Sequence, residues 1–290
     1  MSVQIASVGI LHPGSMGAAV ARELAARGVR VLWNRTGRSA ETVRRAQDAG
    51  LEAVDGLGRL VAVADLVISL CPPAAAEDVA RDVARHRREN LVFLEANAVN
   101  PQRVHRISRI LSPAVTVDGA VIGSPPRVGR PPRLYISGSS EHMEAVCELF
   151  SGTAVDVRVL PGGMGRASSL KLSYTSFQKA SRVLAAVAFA TADAEGLGAE
   201  LLDVAALRST NYLSEADYVP TTAALAWRWA PELDEAADHA RDAGFPDAMI
   251  RAAARVLEQW AHLHDCRPPL SEAIELLKHP GSPDVPMRPA

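Results

Sequence analysis

Lysine is scarce in this chain. Of its 31 basic residues only three are lysine, Lys171, Lys179 and Lys278. Arginine serves wherever generic positive charge is needed, so each lysine invites a specific explanation. Cysteine is equally scarce. Cys71, Cys147 and Cys266 form an odd, scattered set, which excludes a disulfide framework and reads as reduced, buried thiols in a cytoplasmic protein. No His/Cys group has metal-ligand spacing. His262 and His264 are too close in sequence to share a helix face, so no metal site is expected. Charge excess is missing too: the net charge is −2, which gives no electrostatic case for nucleic acid. No apolar run reaches the roughly 18 residues of a membrane span, and no membrane association is expected. The start of the chain lacks a basic segment followed by an apolar core, so no secretory leader is expected.

What is present is an α/β pattern. The apolar run Val3–Gly9 leads into Ile10-Leu11-His12-Pro13-Gly14-Ser15-Met16-Gly17, and helical spacing follows from Ala18 to Ala26. Strand, glycine turn and helix together are what a dinucleotide-binding loop requires. Gly14 lets backbone approach a pyrophosphate, and Gly17 lets the helix pack close to the strand. The helix start offers free N–H groups and partial positive charge. His12 takes the place of the first glycine of G-x-G-x-x-G.

The second strand, Val29–Trp33, ends at Asn34-Arg35-Thr36-Gly37-Arg38-Ser39. An NAD site places a carboxylate here for the ribose 2′-hydroxyl. Asn34 stands there instead, with Arg35 and Arg38 beside it, and guanidinium suits a 2′-phosphate. The expected cofactor is therefore NADP(H), with Thr36 and Ser39 as further donors. Strands at Asp65–Leu70, Leu91–Glu95, Val115–Val121, Arg133–Ser137 and Ala154–Val159 alternate with helices, which predicts a parallel, doubly wound sheet. Ligands bind at the carboxyl ends of such strands. That puts Cys71 (before Pro72-Pro73) and Asn97 at the cofactor. Asn97 is either a ribose or substrate contact or a plain turn residue.

At Pro161-Gly162-Gly163-Met164-Gly165 the pattern changes. Arg166 to Glu195 contains neither Pro nor Gly and predicts one long helix, after which only helical segments follow. The expected organisation is a Rossmann-type α/β domain over residues 1–162, an all-helical domain over 163–280 entered by that long interdomain helix, and a flexible tail over 281–290. Lys171 lies in the first turns of the entry helix. Tyr174 and Gln178 share its face. Tyr174 is either a donor to substrate or a core aromatic.

The whole layout resembles the β-hydroxyacid dehydrogenase superfamily, which contains 6-phosphogluconate dehydrogenase, 3-hydroxyisobutyrate dehydrogenase and the imine reductases. Four stretches carry the resemblance: Gly14-Ser15-Met16-Gly17; Asn34-Arg35-Thr36; Asp118-Gly119-Ala120-Val121-Ile122-Gly123-Ser124, similar to the family's D-A-P-V-S-G-G; and Gly165-Arg166-Ala167-Ser168-Ser169-Leu170-Lys171, similar to G-x-G-x-x-x-K. The His-Pro-Gly loop is most similar to the NAD-binding, phosphogluconate dehydrogenase-like subgroup. The departures lie on the substrate side. Ile122 stands for a serine, Ser124 for the second glycine, Ala167 for a glycine, and Tyr174 where the family has asparagine.

The resemblance implies an NADP-dependent dehydrogenase of a small hydroxy acid or related polar alcohol. Lys171 would be the general acid/base, and Ser124 would lie at the substrate carboxylate unless it is a turn serine. Arg127, Arg130 and Arg133 either attract an anionic substrate or are solvated. Asn211, Tyr212, Asp217 and Tyr218 would line the pocket, and Trp227 and Trp229 would pack in a core or an interface. Related enzymes dimerise through the helical domain, which implies a homodimer. An imine or ketone reductase using NADPH is the second reading. A catalytically silent NADP-binding sensor is the third.

Overall fold

The structure is a computed structural model. It describes residues 3–126, 131–175, 192, 195–207, 219–227, 229–230, 241, 244 and 246–277. The chain divides into two compact units, Met1–Ser176 and Phe177–Ala290.

The first unit is built on an eight-stranded sheet. In chain order its elements are β1 (Ser7–Ile10), α1 (Ser15–Ala26), β2 (Arg30–Asn34), α2 (Ala40–Asp48), β3 (Glu52–Val54), α3 (Leu57–Val63), β4 (Leu66–Ser69), α4 (Ala76–Ala84), β5 (Val92–Glu95), α5 (Pro101–Leu111), β6 (Val115–Ile122), β7 (Arg133–Ser137), α6 (Ser140–Phe150) and β8 (Asp156–Val159). Residues 166–175 are helical and are called α7. The strand order is β3-β2-β1-β4-β5-β6-β7-β8. Neighbours from β3 through β6 pair in parallel. β6 and β7 run antiparallel, and β8 is parallel to β7. The fully parallel sheet expected from the sequence is therefore corrected at its far end. Residues 123–132 link β6 to β7, a stretch too short for a parallel crossover, so β7 returns as a hairpin partner.

The central strands are buried on both faces, as their continuous apolar character predicts. Side chains alternate between two layers. Val8, Ile10, Trp33, Ile68 and Leu94 join one core with Leu24 of α1 and Phe150 of α6. Leu32, Val67 and Phe93 join the other with Leu60 of α3, Val83 of α4 and Ile107 of α5. Helix starts follow local chemistry. Ser39 caps α2 by accepting from the Thr42 N–H, and Asn100 caps α5 with Pro101 at its first turn.

Within the second unit the described helices are α8 (Gly198–Ala206), α9 (residues 219–227), α10 (Ala248–Glu258) and α11 (Leu270–Leu276). Ala223, Ala226, Leu257, Trp260 and Ala273 form its core, with Trp229 packed against them. The Trp260 indole N–H donates to the Ala273 carbonyl at 2.8 Å. Trp227 stacks on His264 with ring centroids 4.3 Å apart. An α/β Rossmann-type domain is thus followed by a helical one.

Candidate dinucleotide and catalytic site

β1, β4, β5 and β6 are consecutive neighbours in the sheet. Their carboxyl ends, about 4.8 Å apart, set four loops side by side: the glycine loop, Cys71-Pro72, Ala96-Asn97 and Ile122-Gly123-Ser124.

In the glycine loop the Gly14 N–H donates to the His12 carbonyl (2.8 Å), and the Ala18 N–H to the Gly14 carbonyl (2.9 Å). α1 has no side-chain cap and no acidic residue in its first turn. Its positive end is therefore available to an anion presented at Ser15 and Met16. A Cβ on Gly17 would lie inside contact distance of the His12 carbonyl oxygen, so this position tolerates no side chain. Gly17→Ala is expected to cost about 1–3 kcal/mol and to abolish dinucleotide binding. Thermal melts with and without cofactor check both effects. Two arginines hold the loop from outside. Arg38 Nη2 donates to the Leu11 carbonyl at 3.0 Å, and Arg45 Nη1 to the Pro13 carbonyl at 3.3 Å. Burial, then the neighbouring Arg38 charge, lower His12 to about 4, so its ring is neutral near pH 7.

In the second turn Asn34 Oδ1 accepts from the N–H groups of Thr36 (3.1 Å) and Gly56 (3.0 Å). Arg35 and Thr36 are exposed. Arg35 donates to both oxygens of Asp55, from Nε at 2.7 Å and from Nη2 at 3.2 Å. The sequence reading of a turn free of carboxylate holds for residues 34–39 only, because Asp55 enters from the end of β3.

Registers pair Ser69 with Glu95, Glu95 with Asp118, and Asp118 with Ser137. This makes one polar row across four strands, and all four residues are buried. Asn97 lies beside the row, also buried. Its Oδ1 accepts from the Cys71 N–H (2.5 Å), and its Nδ2 donates to Ser69 Oγ (2.9 Å). Its side chain thus ties the β4 and β5 loops together. Burial raises the Cys71 thiol above its ordinary value, so Cys71 is a neutral thiol.

Sequence reasoning missed Glu95. The signal was an acid ending an otherwise apolar strand. Oε1 accepts from the Asn97 N–H at 3.1 Å, while the buried Oε2 has no partner. Burial, against the weaker pull of the Asn97 hydrogen bonds, raises the carboxyl to about 7. In the unfolded chain the group ionises near 4.5. Between these values the folded state holds the extra proton, so this contribution to stability falls as pH rises and is fully lost above pH 7. Glu95→Gln, which cannot ionise, is expected to gain up to about 3 kcal/mol over wild type at pH 8 and little at pH 5. Melting curves across pH test this.

The β6 end holds the lysine motif. Asp118 accepts five hydrogen bonds: from Ser137 Oγ (2.8 Å), from the N–H groups of Gly165 (3.0 Å), Ala167 (2.9 Å) and Ser168 (3.1 Å), and from Ser168 Oγ (2.5 Å). Its negative charge sits at the positive end of α7. Ala167, which replaces a family glycine, is fully buried. Lys171 Nζ donates to the Val121 carbonyl at 2.6 Å. The start of α7 is thereby fastened to the sheet, within the first unit. Tyr174 is 36% exposed, so it is no core aromatic of this unit. Ser124 is exposed in the loop beyond β6. Arg127, Arg130, Gln178, Asn211, Tyr212, Asp217 and Tyr218 lie outside the described residues, as does the tail. Among the described residues no group of His, Cys, Asp or Glu is placed to hold a metal, and no helix is long and apolar enough to cross a membrane.

Residues 4–161 match the family described as the NAD binding domain of 6-phosphogluconate dehydrogenase. The chain belongs to that family. Within this 6-phosphogluconate dehydrogenase-like group, residues 192–260 match a second family, a domain of unknown function (DUF1932). A protein of Methanothermus fervidus, described as an uncharacterized 28.5 kDa protein in the 7S RNA 5′ region, is 29% identical over 168 residues. The match spans 58% of this chain and 64% of that protein. Among solved structures, a conserved protein of unknown function with structural similarity to 3-hydroxyacid dehydrogenases is 25% identical, with a TM-score of 0.57, over 90% of this chain and 99% of its own. The reductive aminase from Aspergillus terreus, solved with NADPH and ethyl levulinate, shares the fold at 18% identity and a TM-score of 0.70, over 95% of this chain and 99% of its own. The fold is that of the oxidoreductases in this family, with an NAD(P)-binding domain at its start.

Proposed function

We propose that this chain is an NADP-dependent oxidoreductase that moves a hydride between the nicotinamide and a small hydroxy acid or related polar alcohol. The observation that carries the reading is the hold on Lys171. Its ammonium group is fixed to a carbonyl at the end of β6, on a helix whose start is bound by Asp118. The bound dinucleotide supplies the hydride chemistry.

In this reading the N–H groups of Ser15 and Met16 receive the pyrophosphate, with His12, Pro13, Gly14 and Gly17 shaping the turn. Arg35, Thr36 and Arg38, set by Asn34, receive the 2′-phosphate. The Cys71 and Asn97 loops border the nicotinamide half. Lys171 takes the hydroxyl proton in oxidation when it starts as the neutral amine, and as the ammonium it returns that proton in reduction. Ser124 and Tyr174, both exposed, would orient the substrate.

The second reading, an imine or ketone reductase, draws support from the reductive aminase neighbour and from apolar Ile122 in the substrate loop. Exposed Leu202, Val204 and Leu207 near and on α8 support a homodimer through the helical domain. Cys71 and Cys147 are half-buried and Cys266 is exposed, which corrects the expectation that all three are buried, and all three are unpaired; unpaired thiols support a cytoplasmic location.

A spectrophotometric screen in both directions tests the reading. NADP reduction by hydroxy acids supports it. NADPH oxidation by imines alone moves the assignment to the second reading. Cofactor binding without turnover on any substrate favours a sensor and overturns it.

A further inference from the structure

We propose that Asp55 is a specificity-determining residue of the ribose-phosphate pocket: it competes with a 2′-phosphate for Arg35 and offers a 2′-hydroxyl an acceptor. The inference rests on the reading of the Asn34–Arg38 turn as a dinucleotide site.

The juxtaposition is set by backbone. β2 and β3 pair in parallel with Asn34 opposite Val54, and the Arg35 N–H donates to the Val54 carbonyl at 3.2 Å. The next residue on each strand, Arg35 and Asp55, must then emerge side by side. Asn34 Oδ1 locks the two turns together through Thr36 and Gly56. The side chains meet as a two-pronged fork with donor distances of 2.7 and 3.2 Å. Both remain well exposed, at 59% and 71%, so a ligand can reach them. The Arg35 fork, with Arg59 adding a weaker pull, holds the Asp55 carboxyl below its ordinary range.

A guanidinium already satisfied by a carboxylate has lost its two best-aligned donors. A 2′-phosphate must displace Asp55 to use them and then sits beside its negative charge. A cofactor with a plain 2′-hydroxyl meets no such repulsion, and the carboxylate is the acceptor that NAD sites use. Arg35 and Asp55 therefore pull the preference in opposite directions. Their exposure makes each pull modest and dependent on salt.

The test is direct titration of NADP and NAD into wild type, Asp55→Asn and Arg35→Ala at low and moderate ionic strength. Asp55→Asn is expected to bind NADP about 3- to 10-fold more tightly and NAD more weakly, with the change shrinking as salt rises. Arg35→Ala should weaken NADP by about 10-fold or more and leave NAD unchanged or tighter. If Arg35→Ala weakens NADP while Asp55→Asn leaves the NADP/NAD ratio unaltered, the Asp55 proposal alone is overturned. If wild type binds neither dinucleotide, or Arg35→Ala leaves NADP untouched, the reading of the turn falls and the proposal with it.

Discussion

Lys171→Ala is expected to lower turnover by about 10²- to 10⁴-fold, the usual range for a positioned acid/base group, while NADP(H) still binds. The two readouts separate because the lysine and the glycine loop belong to different parts of the unit. Lys171 Nζ is held at the end of β6 by the Val121 carbonyl, whereas the cradle proposed for the cofactor lies in the β1–α1 and β2–α2 turns. Lys171→Arg should not rescue the rate. A guanidinium keeps its proton throughout the working pH range and cannot act as a base. Steady-state rates on the substrate found by the screen, with cofactor affinity measured in parallel, check this. Turnover near wild type in Lys171→Ala would remove the lysine from the mechanism.

Asp118→Ala should be the most destabilising single substitution at the site, by about 3–5 kcal/mol. The carboxylate is buried and accepts from three backbone N–H groups and two hydroxyls. Alanine leaves those donors without partners in a place water does not reach, and it removes the negative charge from the start of α7. At this chain length the melting temperature should fall by roughly 10 °C. Asp118→Asn should recover part of the loss, since one amide oxygen still accepts while the NH₂ faces donors. Lys171 depends on the same helix start. Cofactor-saturated turnover should therefore fall in both variants, even at temperatures where they stay folded. A melt within 1 kcal/mol of wild type would contradict the packing account.

Much of this was legible from sequence because backbone chemistry forced it. The apolar run into Gly14 and Gly17 allows little besides a strand, a tight turn and a helix. Ser39 is the N-cap of α2, as its position before a helical run suggests. What escaped has physical causes. β3 is three residues long with two of them exposed, so it carries no apolar alternation. α3 is seven residues and two glycines precede or enter it, Gly56 and Gly58. The reversal at β7 depends on which edge the chain returns to, and strand composition does not encode direction. At the site, Arg35 was visible but Asp55 was not, because their meeting depends on β2–β3 register. Asp118 read as part of a motif, yet its task of fastening α7 emerges only when Gly165, Ala167 and Ser168 are brought to it. Glu95 matters through its burial, which no local pattern reports.

The central claim is that this glycine loop, with histidine in place of its first glycine, binds the phosphorylated dinucleotide. Thermal-shift titration with NADP, NADPH, NAD and NADH tests it most directly, since a ligand that binds only the folded state raises the melting temperature. The account predicts that NADP and NADPH raise the transition more than NAD and NADH do at equal concentration. No shift with any of the four, or a larger shift with NAD and NADH, would contradict it.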